Sequence, residues 1–398
     1  MKMKLVIPVI IAILSIVLLL LLGGCKALKM VRKFKSGIPE LPVESDTIRF
    51  EGEHPIVLLV SINDLPDTFR FILDTGAPTM ISPEVADELG IHRGEKLPSK
   101  GVKVHAYLSR EPITISTGKA RVRNFIPLIS DFPEEVEGIA GFIGSDFLRF
   151  FKVRLDYKTK TLIIAKPEYQ FPLSDRAVKL EMKASFPLYF PIFTCEMDGI
   201  RAEAMVDVGS PFSIVVPVEY RNRLKDAIKS RGIMASWPAE KSVPNYLGRV
   251  RSFRMGNFEV KNAMVLSAYL PVPYVLLGRD FLRNFVIILD YPERKIIFEP
   301  FEKLEIKTNE YSYGLKLHRK EGKIIIQGVW VGSPADRAGL ELGDEILRIN
   351  GIPVDSMSIK EIEDLLDRSE SLELSVLKPG KNQEIVMTLK KDWLLPEP

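Results

Sequence analysis

Ile143-Gly144-Ser145-Asp146-Phe147-Leu148-Arg149 returns 134 positions later as Leu277-Gly278-Arg279-Asp280-Phe281-Leu282-Arg283. The echo continues without a gap. Val153-Arg154-Leu155-Asp156-Tyr157 corresponds to Ile287-Ile288-Leu289-Asp290-Tyr291, and both copies then show a charged turn and an apolar stretch (Thr161 to Ala165, Lys295 to Glu299). Upstream, Phe71-Ile72-Leu73-Asp74-Thr75-Gly76-Ala77 has its counterpart in Ala204-Met205-Val206-Asp207-Val208-Gly209-Ser210, shifted by 133, so one inserted or deleted residue reconciles the offsets. Self-similarity of this length marks two copies of one structural unit.

Within each copy, short runs rich in Val, Ile and Phe alternate with Gly, Pro, Asn and Asp, the punctuation of short strands. Helical periodicity is confined to pieces such as Pro83 to Leu89 and Val218 to Lys229. Each lobe is therefore expected to be mainly β and barrel-like. After Glu299-Pro300 the pattern changes, and Tyr313-Gly314-Leu315-Lys316-Leu317 opens a new β segment. In this last unit Ser333 suits the N-cap of a short helix with Pro334 at its first position, Gly339 ends it, and Asn350-Gly351 suits a tight turn between strands. Ser358 to Arg368 reads as an amphipathic helix with Ile359, Ile362, Leu365 and Leu366 on one side. The predicted organisation is a signal or membrane-anchor segment (1–25), a basic linker (26–44), a first lobe (45–168), a second lobe (169–300) and an α+β C-terminal unit (301–398).

The duplicated aspartates carry the chemistry. An aspartate at the end of an apolar strand, followed by a hydroxyl residue and glycine, sits at a tight turn whose backbone allows close approach. Two lobes packed about an approximate two-fold axis would bring Asp74 and Asp207 face to face. Two carboxylates a few Å apart titrate as a coupled pair that holds one proton over a range of pH, so one serves as base and the other as acid. A water held between them is deprotonated by the charged member while the protonated member donates to a carbonyl oxygen, which describes peptide hydrolysis without metal or covalent intermediate.

These residues resemble a retropepsin-type aspartic protease in single-chain, duplicated form, over roughly residues 45 to 300. The resemblance implies Asp74 and Asp207 as catalytic residues, with active-site support from Thr75, Gly76, Gly209 and Ser210, and from Gly144 and Gly278 in the apolar-apolar-Gly segments. It also implies a β-hairpin flap, for which Gly101 to Arg110 and Asn245 to Arg249 are the candidate stretches, with Tyr107 and Tyr246 on them. The second copy departs from the family pattern at Val208, where a Thr or Ser hydroxyl would bond across the lobe interface. Further on, Val331-Gly332-Ser333-Pro334-Ala335-Asp336-Arg337-Ala338-Gly339-Leu340, with Gly343-Asp344-Glu345-Ile346-Leu347, resembles the PDZ domains of bacterial extracytoplasmic proteases. That resemblance implies a groove beside an exposed strand. Tyr313, Gly314, Leu315, Lys316 and Leu317 would take C-terminal or extended peptides there, by strand addition and by amides that receive a terminal carboxylate.

Composition excludes other classes. With 55 Lys and Arg against 52 Asp and Glu, the formal charge of +3 is too small and dispersed for a nucleic-acid footprint. Two cysteines, Cys25 and Cys195, and histidines scattered at 54, 92, 105 and 318 make neither a disulfide framework nor a structural zinc site, so no metal or cofactor is expected. Both lobes sit on one chain, so a monomer suffices.

At the N-terminus, Lys2 and Lys4 precede an uncharged run from Leu5 to Leu22, long enough for a secretory h-region and marginal for a membrane span. Leu22-Gly23-Gly24-Cys25 resembles a bacterial lipobox, which would make Cys25 the lipidation site; the alternative is an uncleaved anchor helix. Lys26, Lys29, Arg32, Lys33 and Lys35 follow, and that charge bias favours a cytoplasmic C-terminal side, against export. Export with an extracytoplasmic catalytic unit is the preferred expectation, and membrane attachment is common to both. Two functions follow: a membrane-tethered aspartic endopeptidase acting on polypeptides positioned by the PDZ unit, or a catalytically degenerate scaffold, marked by Val208, that binds peptides through that unit alone.

Overall fold

The computed structural model describes residues 33–50, 55–97, 105–132, 138–183, 185–224, 228–235, 242–380 and 383–397. The anchor segment with Cys25 and residues 101–104 of the first flap stretch lie outside the described residues. Among the described residues no helix is long and apolar enough to cross a membrane.

The chain is mainly β, and the two copies build the same sheet. In the first lobe the strands run in the order Val57–Ile62, Phe69–Leu73, Gly141–Ile143, Met80–Ile81, Leu128–Ser130, Ala106–Ser109, Arg93–Lys96. In the second the same order is Ile192–Met197, Ile200–Val206, Val275–Leu277, Ile214–Pro217, Phe258–Ala268, Ser242–Met255, Ile228–Ala235. The first lobe uses four strands, 106–109, 113–117, 120–125 and 128–130, where the second uses two long ones, 242–255 and 258–268. Contact of Met197 with Phe253 across a second ladder closes the second lobe on itself.

The two lobes share a six-stranded sheet in the order Val178–Glu181, Lys295–Pro300, Phe285–Asp290, Lys152–Asp156, Thr161–Ala165, Ser45–Arg49. At its centre Arg154 faces Ile288, its own counterpart in the second copy, and Lys152 and Asp156 face Asp290 and Val286 on either side. A residue paired with its own repeat is what a two-fold axis imposes on an antiparallel ladder. The alternating apolar positions of this sheet join one core that crosses the seam, from Phe71, Phe147 and Phe151 to Phe193, Phe281, Phe285 and Phe298. At about 1.5–3 kcal/mol per fully buried large apolar side chain, this core fixes the lobes against each other.

Two sequence expectations are corrected. Residues 38–40, assigned above to the linker, form an edge strand on Arg121–Arg123; Pro39 reads as linker in sequence but is tolerated at an edge, where its missing N–H leaves no ladder bond unmade. The helical period expected over Val218 to Lys229 yields one 3-10 turn, Val218–Tyr220, and the chain is already strand at Ile228. Pairing on both sides of 228–235, with 242–248 and with 328–330, overrides the local periodicity. The helix expected from Pro83 spans Pro83–Glu88, capped by Ser82.

The C-terminal unit has its own core of Ile324, Ile326, Ile346, Leu372, Leu374 and Val376. Ser333 caps Pro334–Arg337, Gly339 takes φ +78°, and Asn350-Gly351 turns with φ of 52° and 77°. The amphipathic helix spans Ile359–Arg368 with a Ser358/Glu361 capping box. This unit rests on the second lobe through Lys307, whose amine lies 3.0 Å from Asp280, and through the Met264 N–H, which donates to the Lys307 carbonyl at 2.9 Å.

One buried ion pair sits in the shared sheet: Lys152 Nζ lies 3.1 Å from Asp290 of the other copy. Lys152→Ala strands the Asp290 carboxylate in the seam, and urea unfolding should show a loss of about 3–5 kcal/mol; a loss within experimental error would show that the pair does not hold the lobes together.

Candidate active site

Each aspartate is delivered by the end of a strand that runs parallel to the apolar-apolar-Gly segment. Phe69–Leu73 pairs with Gly141–Ile143, and the Asp74 N–H donates to the Ile143 carbonyl at 3.0 Å. In the second copy Ala204 to Val206 pair with Val275 to Leu277, and the Asp207 N–H donates to the Leu277 carbonyl at 2.9 Å. Each carboxyl also accepts from the glycine two residues on, Gly76 at 2.8 Å and Gly209 at 3.1 Å. Gly144 and Gly278 are required by sterics: a Cβ at Gly144 would lie 2.2 Å from the Ala77 carbonyl oxygen, and one at Gly278 would lie 2.3 Å from that of Phe212 and 2.6 Å from that of Ser210. Ser210 thus belongs to the turn that Gly278 backs.

The two loops meet across the seam. A Cβ on Gly76 would come within 2.7 Å of the Asp207 carboxyl carbon, and one on Gly209 within 2.4 Å of that of Asp74. Each carboxyl lies over the other copy's glycine, which sets the two carboxyls against each other across the seam. Burial raises both above the ordinary 3.8. Asp207 is raised the further, because burial adds to repulsion from Asp74 and to a hydrogen bond that favours its protonated form. Asp74 is raised less, since burial is opposed by the Gly76 amide and by the bond from Asp207. Both shifts favour a pair that holds one proton between its two carboxyls over a range of pH.

The bracing is one-sided. The Thr75 hydroxyl donates to the Val206 carbonyl at 2.6 Å and accepts from the Val208 N–H at 3.1 Å, so one side chain ties both loops. Val208 is buried and gives only its backbone, so the second half of the brace expected from the family pattern is absent. The Ser145 hydroxyl donates to the Thr75 carbonyl at 2.7 Å and lies 3.0 Å from the Tyr291 hydroxyl of the other copy. A second set of bonds centres on Thr79, which donates to Asp146 through N–H and hydroxyl at 2.8 and 2.6 Å and accepts from the Gly144 N–H at 3.0 Å. In the second copy Arg279 replaces Ser145 and turns to Asp280 at 2.6 Å. The counterpart hydroxyl of Tyr157, and that of Ser213, are buried without a partner. Ser145, Thr79 and Tyr291 were not singled out by sequence; the repeated Asp-Tyr pair was the available signal.

Tyr107 and Tyr246 occupy equivalent places. The row Phe142, Met80, Leu128, Leu108 across the first sheet matches Leu276, Val215, Leu266, Leu247 across the second, and each tyrosine is the residue before the last of its row. The Arg221 guanidinium lies 3.8 Å from the Tyr246 ring centre, and Lys96 lies 5.8 Å from that of Tyr107. In the C-terminal unit Leu315 to Leu317 lie on the strand Leu315–Lys320, as expected. Tyr313 is instead buried in the core with its hydroxyl donating to the Ser369 carbonyl at 2.6 Å, and Gly314, at φ +76°, has its N–H held by the Ser312 hydroxyl at 3.1 Å. Cys195 is buried, which pushes its thiol up to about 12 and leaves it unreactive. Among the described residues no group of three or more His, Cys, Asp or Glu is placed to hold a metal ion.

Comparison with known proteins finds an aspartyl protease domain at residues 58–147 and a PDZ domain at residues 325–378. Tight junction protein ZO-3 is 37% identical over 68 residues in the mouse, 17% of this chain and 6% of that protein. The human protein of that name is 34% identical over 70 residues, 17% of this chain and 7% of its own length. Carboxy-terminal processing protease CtpB of Bacillus subtilis is 30% identical over 83 residues, 20% of this chain and 17% of the relative. The chain thus spans less than a fifth of the length of these curated relatives.

Because both carboxyls are raised in the folded protein, the native state binds protons more tightly than the unfolded chain, and the dyad costs stability as pH rises above 3.8. Asp207→Asn removes that cost. Thermal melts should show it more stable than the wild type by about 1–3 kcal/mol at neutral pH, with the gain vanishing below the ordinary carboxylate range. A gain that persisted there would deny the electrostatic cause.

Proposed function

We propose that this protein is an aspartic endopeptidase, tethered to a membrane through its N-terminus, whose PDZ domain presents polypeptides to the dyad. One observation carries the reading: Asp74 and Asp207, equivalent residues of two copies, meet across the seam, each lying over the other's glycine. In the proposed reaction Asp74 takes a proton from a water placed between the carboxyls as the water oxygen attacks the peptide carbonyl carbon. Asp207 gives its proton to the carbonyl oxygen. The resulting diol collapses with cleavage of the C–N bond, the amine leaves with the proton held by Asp74, and a diol hydroxyl returns one to Asp207.

The burial of the pair is suited to this division of labour, since a low-dielectric site widens the pH range over which one carboxyl is charged and the other neutral. Thr75 holds both loops in register, so Val208 leaves the geometry with one side-chain brace in place of two. The matched peptidase relative is consistent with proteolysis, and the PDZ domain with peptide binding. The uncharged run 5–22 with its following lysines favours a tether, and the Gly-Gly-Cys25 junction favours lipid attachment on the extracytoplasmic side.

Asp74→Asn and Asp207→Asn should each lower cleavage of an unfolded test protein by at least about a hundredfold, the low end of what a positioned acid or base contributes. The kcat/KM of the wild type should be bell-shaped, with its acid limb, set by Asp74, above the ordinary carboxylate range. Turnover that survives either substitution would refute the dyad mechanism.

A further inference from the structure

The strand pairs that carry Tyr107 and Tyr246 differ in what lies beyond them. In the first lobe the outer arm, Arg93–Lys96, ends the sheet and pairs only with Ala106–Ser109 among the described residues. In the second lobe the outer arm, Ile228–Ala235, continues into the PDZ domain: Gly232, Ile233 and Met234 face Trp330, Val329 and Gly328 of the strand Lys323–Trp330.

Two independent constraints make Ile233 and Val329 the hydrogen-bonded pair. The Trp330 N–H donates to the Gly314 carbonyl at 2.8 Å. Bonding alternates along an antiparallel strand, so the main-chain groups of Val329 turn the other way, toward Ile233. On its far side Ile233 faces Pro244 of the inner arm, which has no N–H to give, so its groups turn toward Val329 as well.

The inner arm is tied to the same domain. Leu247, beside Tyr246, packs with Met264, Leu395 and Trp330. Arg249 donates to the Thr308 carbonyl at 2.5 Å and to the Pro396 carbonyl at 2.8 Å, reaching the segments that enter and leave the PDZ domain. Trp330 also packs against the cluster containing Met205, Val215 and Leu276, and Met205 lies on the strand Ile200–Val206, whose end delivers Asp207. On the opposite side of 323–330 lies Leu315–Lys320, whose outer edge pairs with no strand among the described residues. The strands 315–320, 323–330, 228–235 and 242–255 form one continuous sheet.

We propose that a polypeptide segment adding to the outer edge of Leu315–Lys320 is coupled through this sheet to the second-lobe hairpin and raises the affinity of the dyad cleft for its substrate, with Val329 and Trp330 as positioning residues. The proposal rests on the protease reading. A peptide that binds the ordered arrangement of 315–320 and 323–330 better than a loosened one shifts the population toward it, and the hairpin arm bonded to 323–330 shifts with it.

The test uses the full chain and a short fluorogenic peptide amidated at its C-terminus, which lacks the carboxylate for the PDZ edge. Val329→Pro removes the donor to the hairpin and leaves the Trp330 to Gly314 bond in place. It should lower kcat/KM by about fivefold or more, the low end of typical coupling between sites, and do so mainly through KM. An octapeptide ending in a free leucine carboxylate, its binding followed by the anisotropy of a labelled copy, should lower KM for the wild type and not for Val329→Pro. If near-UV circular dichroism shows that Val329→Pro does not fold, Trp330→Ala carries the same expectation. An unchanged KM in the folded variant, or in the wild type with the octapeptide added, overturns the proposal.

Hydrogen exchange keeps the two readings apart. In an Asp207→Asn background, adding Val329→Pro should speed exchange at residues 246–249, which do not pair with Val329. That acceleration alongside an inactive wild type would sink the protease reading alone. An active wild type without the acceleration would sink the coupling alone.

Discussion

The architecture depends on two carboxyls placed against each other, Asp207 buried and Asp74 half-buried. Repulsion between them must be overcome by the structure around them, and the shared sheet is what does so: Arg154 faces Ile288, and the axis this defines relates the Asp74 and Asp207 loops. The absence of a Cβ at Gly76 and Gly209 then permits the approach, since either added carbon would come within 2.7 Å of the opposing carboxyl. Symmetry sets where the carboxyls meet, and glycine sets how closely.

Chemistry, however, needs asymmetry, because a general acid and a general base must differ. The two copies differ in their hydroxyls. Around Asp74 the Thr75 and Ser145 side chains form a chain of bonds that reaches Tyr291 of the other copy, and Thr79 is separately bonded to Asp146. Around Asp207 stand Val208 and Arg279, and the Tyr157 and Ser213 hydroxyls lack partners. Burial and repulsion from Asp74 both push Asp207 up, which favours it as the protonated member of the pair. The same divergence frees Asp280 to pair with Lys307, so the second copy gains an attachment for the PDZ domain where it loses a brace for its loop.

The repeat made most of this legible before any coordinates. The repeat, offset by 133 at the aspartates and by 134 at the supporting glycines and the strands of the seam, located all of these, and turn chemistry placed Ser333, Gly339 and Asn350-Gly351 correctly. Sequence failed where tertiary pairing decides. Val218 to Lys229 has helical periodicity yet opens on a 3-10 turn and ends in a strand that lies between two others, and Pro39 disguised an edge strand as linker. Tyr313 looked like part of a peptide groove because it opens the strand, but its ring is core. Nor does any local pattern reveal that 228–235 bonds to 328–330, since a strand's second neighbour leaves no mark on its own residues.

The central claim is that the two aspartates hold one proton between them. Carbon-13 NMR of protein labelled at the aspartate carboxyl carbons reads this directly. The account predicts one carboxyl that stays protonated well above the ordinary carboxylate range and falls back toward it when Asp74 is replaced by Asn. Two resonances that titrate independently near 3.8, each indifferent to the other's replacement, would contradict it.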